Sequence, residues 1–246
     1  MQQLLLDLLP PPAPTLDNFV AGRNAEGLSA LRTWLTQPGT TTCLLFWGEA
    51  HCGCSHLLRA AVADTNATAN VSSQYADSRN DPALAAFPDL PEDCTLFAAD
   101  AVDALDPEGQ VRLFNIFNRL KTRGGRLLAA SRQPPAALQV REDLRTRLGS
   151  GLVYRLTPLS DAEKTAALAE RAHARGLALP AGALDYLFRH APRDMGSLTA
   201  IIDALDRFSL EHQRPVTLPL LRGLLNDLQP APAAPAGPHP TPNVSA

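Results

Sequence analysis

The chain has 246 residues, with 22 Lys+Arg against 25 Asp+Glu and a formal net charge of −3. That balance argues against a dedicated DNA-coating protein, which carries a basic face. With 45% hydrophobic and 19% charged residues, the chain as a whole is not of disordered composition. No apolar run reaches the roughly 18–20 residues of a membrane span. The first residues lack the basic start of a signal peptide, so a cytoplasmic address is expected.

Prolines divide the chain. Of 22, four lie in Pro10–Pro14 and six in Gln229–Ala246. Residues 1–14 therefore read as a flexible peptide with a proline linker, and 229–246 as a disordered Pro/Ala-rich tail. Between them, Leu28, Leu31 and Leu35 predict a helix over Asn24–Thr36. Thr41–Trp47 reads as a buried strand, followed by glycines at 48 and 53. A helix over His56–Ala63 comes next, then a weaker strand over Ala67–Ser72 and a loop with a short helix over Asn80–Leu90. Cys94–Ala99 reads as a second buried strand, ending at Asp100. Pro107–Arg123 reads as a long amphipathic helix stopped by Gly124-Gly125. Arg126–Ala130 is a third strand ending at Ser131, Arg141–Leu148 a helix and Leu152–Leu156 a fourth strand. Short apolar strands alternating with helices predict an α/β domain with a mainly parallel sheet over 15–157.

From Pro158 the pattern becomes all-helical. Ser160 and Glu163 form a capping box opening a helix to about Arg175, with Gly176 as the stop. Further helices are expected over Pro180–Arg189, Arg193–His212 and Thr217–Leu228, so 158–228 reads as a small helical domain.

Four cysteines, at 43, 52, 54 and 94, would stay reduced in a cytoplasmic protein. The run His51-Cys52-Gly53-Cys54-Ser55-His56 invites a zinc reading. Structural zinc sites use two separated ligand pairs, however, and ligands crowded into six residues make poor tetrahedral geometry. A better reading is a phosphate loop. Gly48 to Ser55 has the Walker A spacing G-x-x-x-x-G-K-S/T, between a strand and a helix. Glycines let backbone N–H groups turn toward phosphate, and the helix N-terminus adds partial positive charge. Ser55 supplies a hydroxyl for Mg²⁺. The lysine position is Cys54, a thiol without charge. Asp100 ends its strand as a Walker B acid does, a second Mg²⁺ ligand, but the next position is Ala101 where an ATPase carries another acid.

These elements occur in the order of the DnaA family of AAA+ proteins, and the match is nearer to its Hda regulators. Asn18-Phe19-Val20-Ala21-Gly22-Arg23-Asn24 resembles NFVxGxN. Gly53-Cys54-Ser55-His56-Leu57-Leu58 resembles the family's phosphate-loop end, and Ser131 to Pro135 its sensor 1 segment. Leu144 to Leu152 resembles the segment that holds the arginine finger. Pro158 to Lys164 resembles the start of the lid, and Arg193-Asp194-Met195 the sensor 2 motif. The resemblance spans about 15–228 and stops where the initiator adds a helix-turn-helix domain.

The resemblance implies an AAA+ P-loop domain followed by a helical lid. It implies nucleotide contacts from Gly48, Gly53, Cys54, Ser55, His56, Asp100, Ser131 and Arg193, with ADP and Mg²⁺ as the bound group. Arg147 would be an arginine finger acting in trans on a neighbour's γ-phosphate. Gln3, Leu4, Leu6 and Leu8 match the Q-L-x-L-x-L shape that docks on the DNA polymerase III sliding clamp, the beta subunit. The function implied is negative regulation of replication initiation. Clamp tethering would bring the protein to DNA indirectly, with DnaA as its partner and with no membrane contact. A homo-oligomer stays open. Two alternatives remain: a nucleotide-free adaptor for initiator or helicase, and a free-standing P-loop ATPase, which Cys54 and Ala101 count against.

Overall fold

The computed structural model describes residues 12–37, 41–67, 71–79 and 90–228. They form two compact units, 12–167 and 168–228. The division falls inside a helix, ten residues beyond the junction at 157/158 where the sequence pattern becomes all-helical.

The first unit is built on five parallel strands: β1 (Cys43–Gly48), β2 (Ser72–Asp77), β3 (Cys94–Asp100), β4 (Arg126–Ser131) and β5 (Leu152–Leu156), in the order β2-β3-β4-β1-β5. Successive residues of the inner strands point to opposite faces, and both faces are apolar. Cys43 and Leu45 of β1 join Phe97, Leu127 and Ala129 on one face; Leu44 and Phe46 join Leu96, Ala98, Leu128 and Ala130 on the other. The first face is covered by α3 (Pro107–Arg123) and α4 (Glu142–Gly149), through Leu113, Ile116, Phe117, Leu120, Leu144 and Leu148. The second is covered by α1 (Ala25–Thr36) and α2 (Cys54–Asn66), through Leu31, Trp34, Leu57, Leu58 and Ala61. The α/β expectation and its parallel sheet are what the structure contains.

One strand moves. The weaker strand expected over Ala67–Ser72 is instead β2 at Ser72–Asp77, because α2 runs on to Asn66 and Ala67 caps it through its N–H to the Ala63 carbonyl. β2 is an edge strand paired only with β3, so four of its six residues are half-buried and its composition is polar. The loop and short helix expected over Asn80–Leu90 fall almost wholly outside the described residues.

Local signals explain the helix ends. Asp106 caps α3 by accepting from the Gly109 N–H at 2.6 Å, and Gly124 closes it in the left-handed region at φ 72°. Ser160 and Glu163 make the expected reciprocal box ahead of α5 (Asp161–Ala174): the Ser160 N–H donates to Glu163 Oε2 at 2.8 Å, and the Glu163 N–H donates to Ser160 Oγ at 3.3 Å.

The second unit holds the end of α5 with α6 (Ala183–His190), α7 (Met195–His212) and α8 (Leu218–Leu228) around Leu168, Leu187, Leu198, Ile202, Leu205 and Leu221. α6 begins after Gly182, at φ 76°, rather than at Pro180. α7 begins after Asp194, whose carboxylate accepts from the Ser197 N–H at 2.8 Å, so Arg193 precedes the cap. Arg171 and Asp203 pair within this unit through two hydrogen bonds of 2.9 and 2.8 Å.

Two glycines let β1 and β5 approach. A Cβ on Gly48 would stand 2.2 Å from the Leu156 carbonyl oxygen, and one on Gly151 would stand 1.9 Å from that of Cys43. Neither obstacle is a flexible side chain, so relief requires backbone movement. Gly48→Ala and Gly151→Ala are each expected to cost about 2 kcal/mol or more of stability. Urea denaturation checks this; an unchanged midpoint for either would contradict the close approach.

Candidate functional site

Parallel strands leave a crevice beyond their carboxyl ends, and ligands bind there in open α/β sheets. Ala99 of β3 pairs with Ala129 of β4, while Phe46 and Trp47 of β1 pair with Ala130 and Ser131. The register therefore brings Gly48, Asp100 and Ser131 to the same sheet edge. Gly48, Gly53, Cys54, Ser55 and His56 follow one another in the loop that leaves β1 and starts α2.

The loop has the form of a phosphate cradle. Gly53 adopts φ 101°, and a Cβ there would meet Phe19 Cε2 at 2.6 Å. Phe19 thus packs directly on the loop, and its ring also lies 5.4 Å from that of His56. His56 Nε2 is 3.0 Å from the Thr15 carbonyl oxygen. Burial holds the His56 imidazole below its ordinary pKa. The side chain thereby ties the segment before α1 to the loop. Nothing in the G-x-x-x-x-G spacing pointed to Phe19 as its floor.

What fills the lysine position is a thiol engaged with another thiol. Cys52 Sγ and Cys54 Sγ are 3.3 Å apart. The hydrogen bond from Cys54 lowers the Cys52 thiol to about 7 against the opposing effect of burial, while the same bond and burial raise Cys54. Among the described residues there is no group of three or more His, Cys, Asp and Glu placed to hold a metal ion.

Asp100 is 3% exposed and already partnered. Its Oδ2 accepts from the Tyr75 hydroxyl at 2.8 Å, and its Oδ1 accepts from the Ala101 N–H at 2.8 Å. Arg79 Nη2 stands 3.5 Å from Oδ2 and also bonds Asp77. Burial, together with the Asp100 charge, pushes the Tyr75 hydroxyl up. Burial raises Asp77 too, but its hydrogen bonds from Arg79 outweigh that and hold the carboxyl below its usual value. Tyr75, Asp77 and Arg79 were not singled out in the sequence, since they sit on and just after the misplaced strand. Their alternation with the polar edge positions was the available signal.

Ser131 is 5% exposed, and its hydroxyl donates to the Gln133 carbonyl at 2.6 Å. The donor expected of a sensor is spent on its own turn. Arg147 lies in the last turn of α4, half-buried, its guanidinium 5.6 Å above the Phe117 ring. Arg141 pairs with Asp143 and Arg145 with Glu142. Arg147 has no carboxylate partner among the described residues. Arg193 is exposed and belongs to the second unit. Gln3, Leu4, Leu6 and Leu8 lie outside the described residues.

The loop has the glycine and helix start of a phosphate cradle. The side chains fit Mg²⁺–nucleotide poorly: the lysine charge is absent, and the carboxylate that would face the metal is already bonded to Tyr75, Ala101 and Arg79. Ser55, the other candidate ligand, is half-buried at the second position of α2.

Tyr75→Phe would leave the buried Asp100 carboxylate with one fewer donor. The expected cost is about 1–3 kcal/mol, measured by urea denaturation. A variant as stable as the parent would show that the hydroxyl does not hold the carboxylate.

Residues 161–225 match the family model of the Hda lid domain. The fold is similar to domain III of the Thermotoga maritima replication initiation protein DnaA, with a TM-score of 0.66 and 22% identity over 88% of this chain and 97% of that one. It is also similar to AMPPCP-bound DnaA from Aquifex aeolicus, with a TM-score of 0.61 and 20% identity over 83% of this chain and 71% of that one. The chain thus has a DnaA-like AAA+ fold, and residues 161–225 within it are similar to the Hda lid domain.

Proposed function

We propose that this protein is a negative regulator of replication initiation that promotes hydrolysis of ATP held by a DnaA-type initiator. The observation that carries the reading is Cys54, bonded to Cys52, at the lysine position of an AAA+ domain that bears an Hda lid. A neutral thiol offers no charge to β- and γ-phosphates, and Ala101 offers no acid to activate water. Such a domain is suited to acting on a partner's nucleotide rather than its own.

Arg147 is the group for that action. A finger arginine must be uncommitted within its own chain and still held in place. Packing over Phe117 without a carboxylate supports both conditions. Presented to a partner's γ-phosphate, its guanidinium stabilises charge developing in the transition state, an effect worth roughly 10³–10⁵ in rate where such fingers act. Residues 3–8 would dock on the sliding clamp as an extended peptide, with Gln3 at a pocket rim and Leu4, Leu6 and Leu8 in an apolar cleft. The clamp then brings the protein to DNA, at the nucleoid in the cytoplasm.

A nucleotide held in its own crevice would be ADP, bound by backbone N–H groups with Ser55 beside them and without the lysine. Solved DnaA neighbours hold AMPPCP, which supports a nucleotide in this crevice. The bonded Asp100 favours a second reading, in which the protein is a nucleotide-free adaptor for the initiator.

The deciding assay is hydrolysis of DnaA-bound ATP in the presence of clamp loaded on DNA. The protein is expected to accelerate it, and Arg147→Ala is expected to return the rate to the unstimulated level. Full stimulation by Arg147→Ala would sink the finger and leave the adaptor. Removal of residues 2–9 is expected to abolish clamp pull-down; retained binding would remove the tether. ADP released from the purified protein on denaturation would decide against the nucleotide-free reading.

A further inference from the structure

We propose that Cys52 and Cys54 form a reversible redox dithiol within the phosphate loop, closing to an intraloop disulfide when hydrogen peroxide is the oxidant. The inference is independent of the regulatory reading above. It rests on placement. Only Gly53 separates the two residues, and at φ 101° it turns the chain so that both side chains fall on one side, with their sulfurs 3.3 Å apart. A disulfide bond is about 2.05 Å long, so closure needs an approach of little more than one ångström. Glycine between the cysteines leaves the backbone free to make it.

Access and position select this pair among the four free cysteines. Cys54 is partly exposed as the first residue of α2, with its sulfur beside that of Cys52. Cys52 is 7% exposed, enough contact with solvent for an oxidant close to water in size. Cys43 is 1% exposed inside β1, and burial pushes its thiol up to about 12. Cys94 is 2% exposed at the start of β3. Both sit in the sheet core and serve as internal controls.

The chemistry balances with one peroxide. One loop sulfur attacks a peroxide oxygen: an S–O bond forms, the O–O bond breaks, and the departing oxygen takes the thiol proton and leaves as water. The second sulfur attacks the resulting sulfenic sulfur. The S–S bond forms, the S–O bond breaks, and a second water leaves with the second thiol proton. Two thiols have lost two electrons and the peroxide has gained them. A dithiol reverses the step by exchange. Closure contracts the loop at the point where α2 begins and where Phe19 packs on Gly53.

The test uses the full native chain. It is treated with equimolar hydrogen peroxide, then denatured, alkylated with iodoacetamide and mapped by fragmentation mass spectrometry. The expected product has Cys43 and Cys94 alkylated, and Cys52 and Cys54 lighter by two hydrogens and resistant to alkylation. Dithiothreitol should restore both. Cys54→Ser and Cys52→Ser should each form no disulfide and leave a sulfenic acid that dimedone traps. The proposal is overturned if all four cysteines stay alkylated. It is overturned equally by sulfinic acid at either loop sulfur in place of a disulfide, or by a bridge that joins any other pair or two chains. Far-UV circular dichroism of the oxidised protein should match the reduced one; loss of the helical signal would show that unfolding, not loop geometry, brought the sulfurs together.

Discussion

Everything at the candidate site depends on how β1 leaves the sheet. The strand is hydrogen-bonded on both edges, to β4 and β5, and buried on both faces. Such a strand cannot shift register without moving every side chain to the wrong face. Its exit at Gly48 is therefore fixed in space, and so is the start of the phosphate loop. Close approach of β5 requires that this exit carry no Cβ. The glycine usually credited to phosphate binding has a second, purely structural reason to be there.

With the loop's frame fixed, its side chains depart from the Walker pattern at positions 54 and 101. The turn has a positive-φ glycine, Gly53, at the start of α2. Position 54 carries a thiol in place of a lysine, and the carboxylate at 100 is engaged by the Tyr75 hydroxyl, the Ala101 N–H and Arg79. A buried carboxylate left without donors would cost several kcal/mol, so these partners are part of what holds the β2–β3 edge together. The result is an AAA+ fold in which the acid at the end of β3 is bonded within its own sheet, while Arg147 lies over Phe117 with no carboxylate partner among the described residues.

The two units differ in what holds them. The first is a double-faced sheet in which each inner strand contributes to two cores. The second is a set of short helices around one leucine-rich core, trimmed by the Arg171–Asp203 pair. α5 serves both: its first turn carries the Ser160–Glu163 box and an ion pair between Glu163 and Arg23, and its last turns enter the helical core. That continuity is why the change in sequence pattern at 157/158 precedes the division of the fold.

Much of the fold was legible because its signals are local. Apolar runs at β1, β3 and β4 reveal strands buried on both faces, and Gly124 and the Ser160–Glu163 pair mark helix ends through local backbone geometry and hydrogen bonds. The glycine spacing and the missing lysine were equally readable. β2 was not, because an edge strand needs no apolar run. The partners of Asp100, the floor that Phe19 makes under Gly53, and the contact between Cys52 and Cys54 were not legible either. Tyr75 and Arg79 lie 25 and 21 positions from Asp100, Phe19 lies 34 from Gly53, and the two sulfurs are two residues apart; whether such side chains meet depends on strand register and loop turn rather than on spacing. The sequence by itself determined which elements form and which charge the loop lacks, because those follow from each residue's own neighbours. The tertiary structure alone decided which polar groups are already spent, Asp100 and Ser131 among them, because that depends on what packing brings within hydrogen-bond reach.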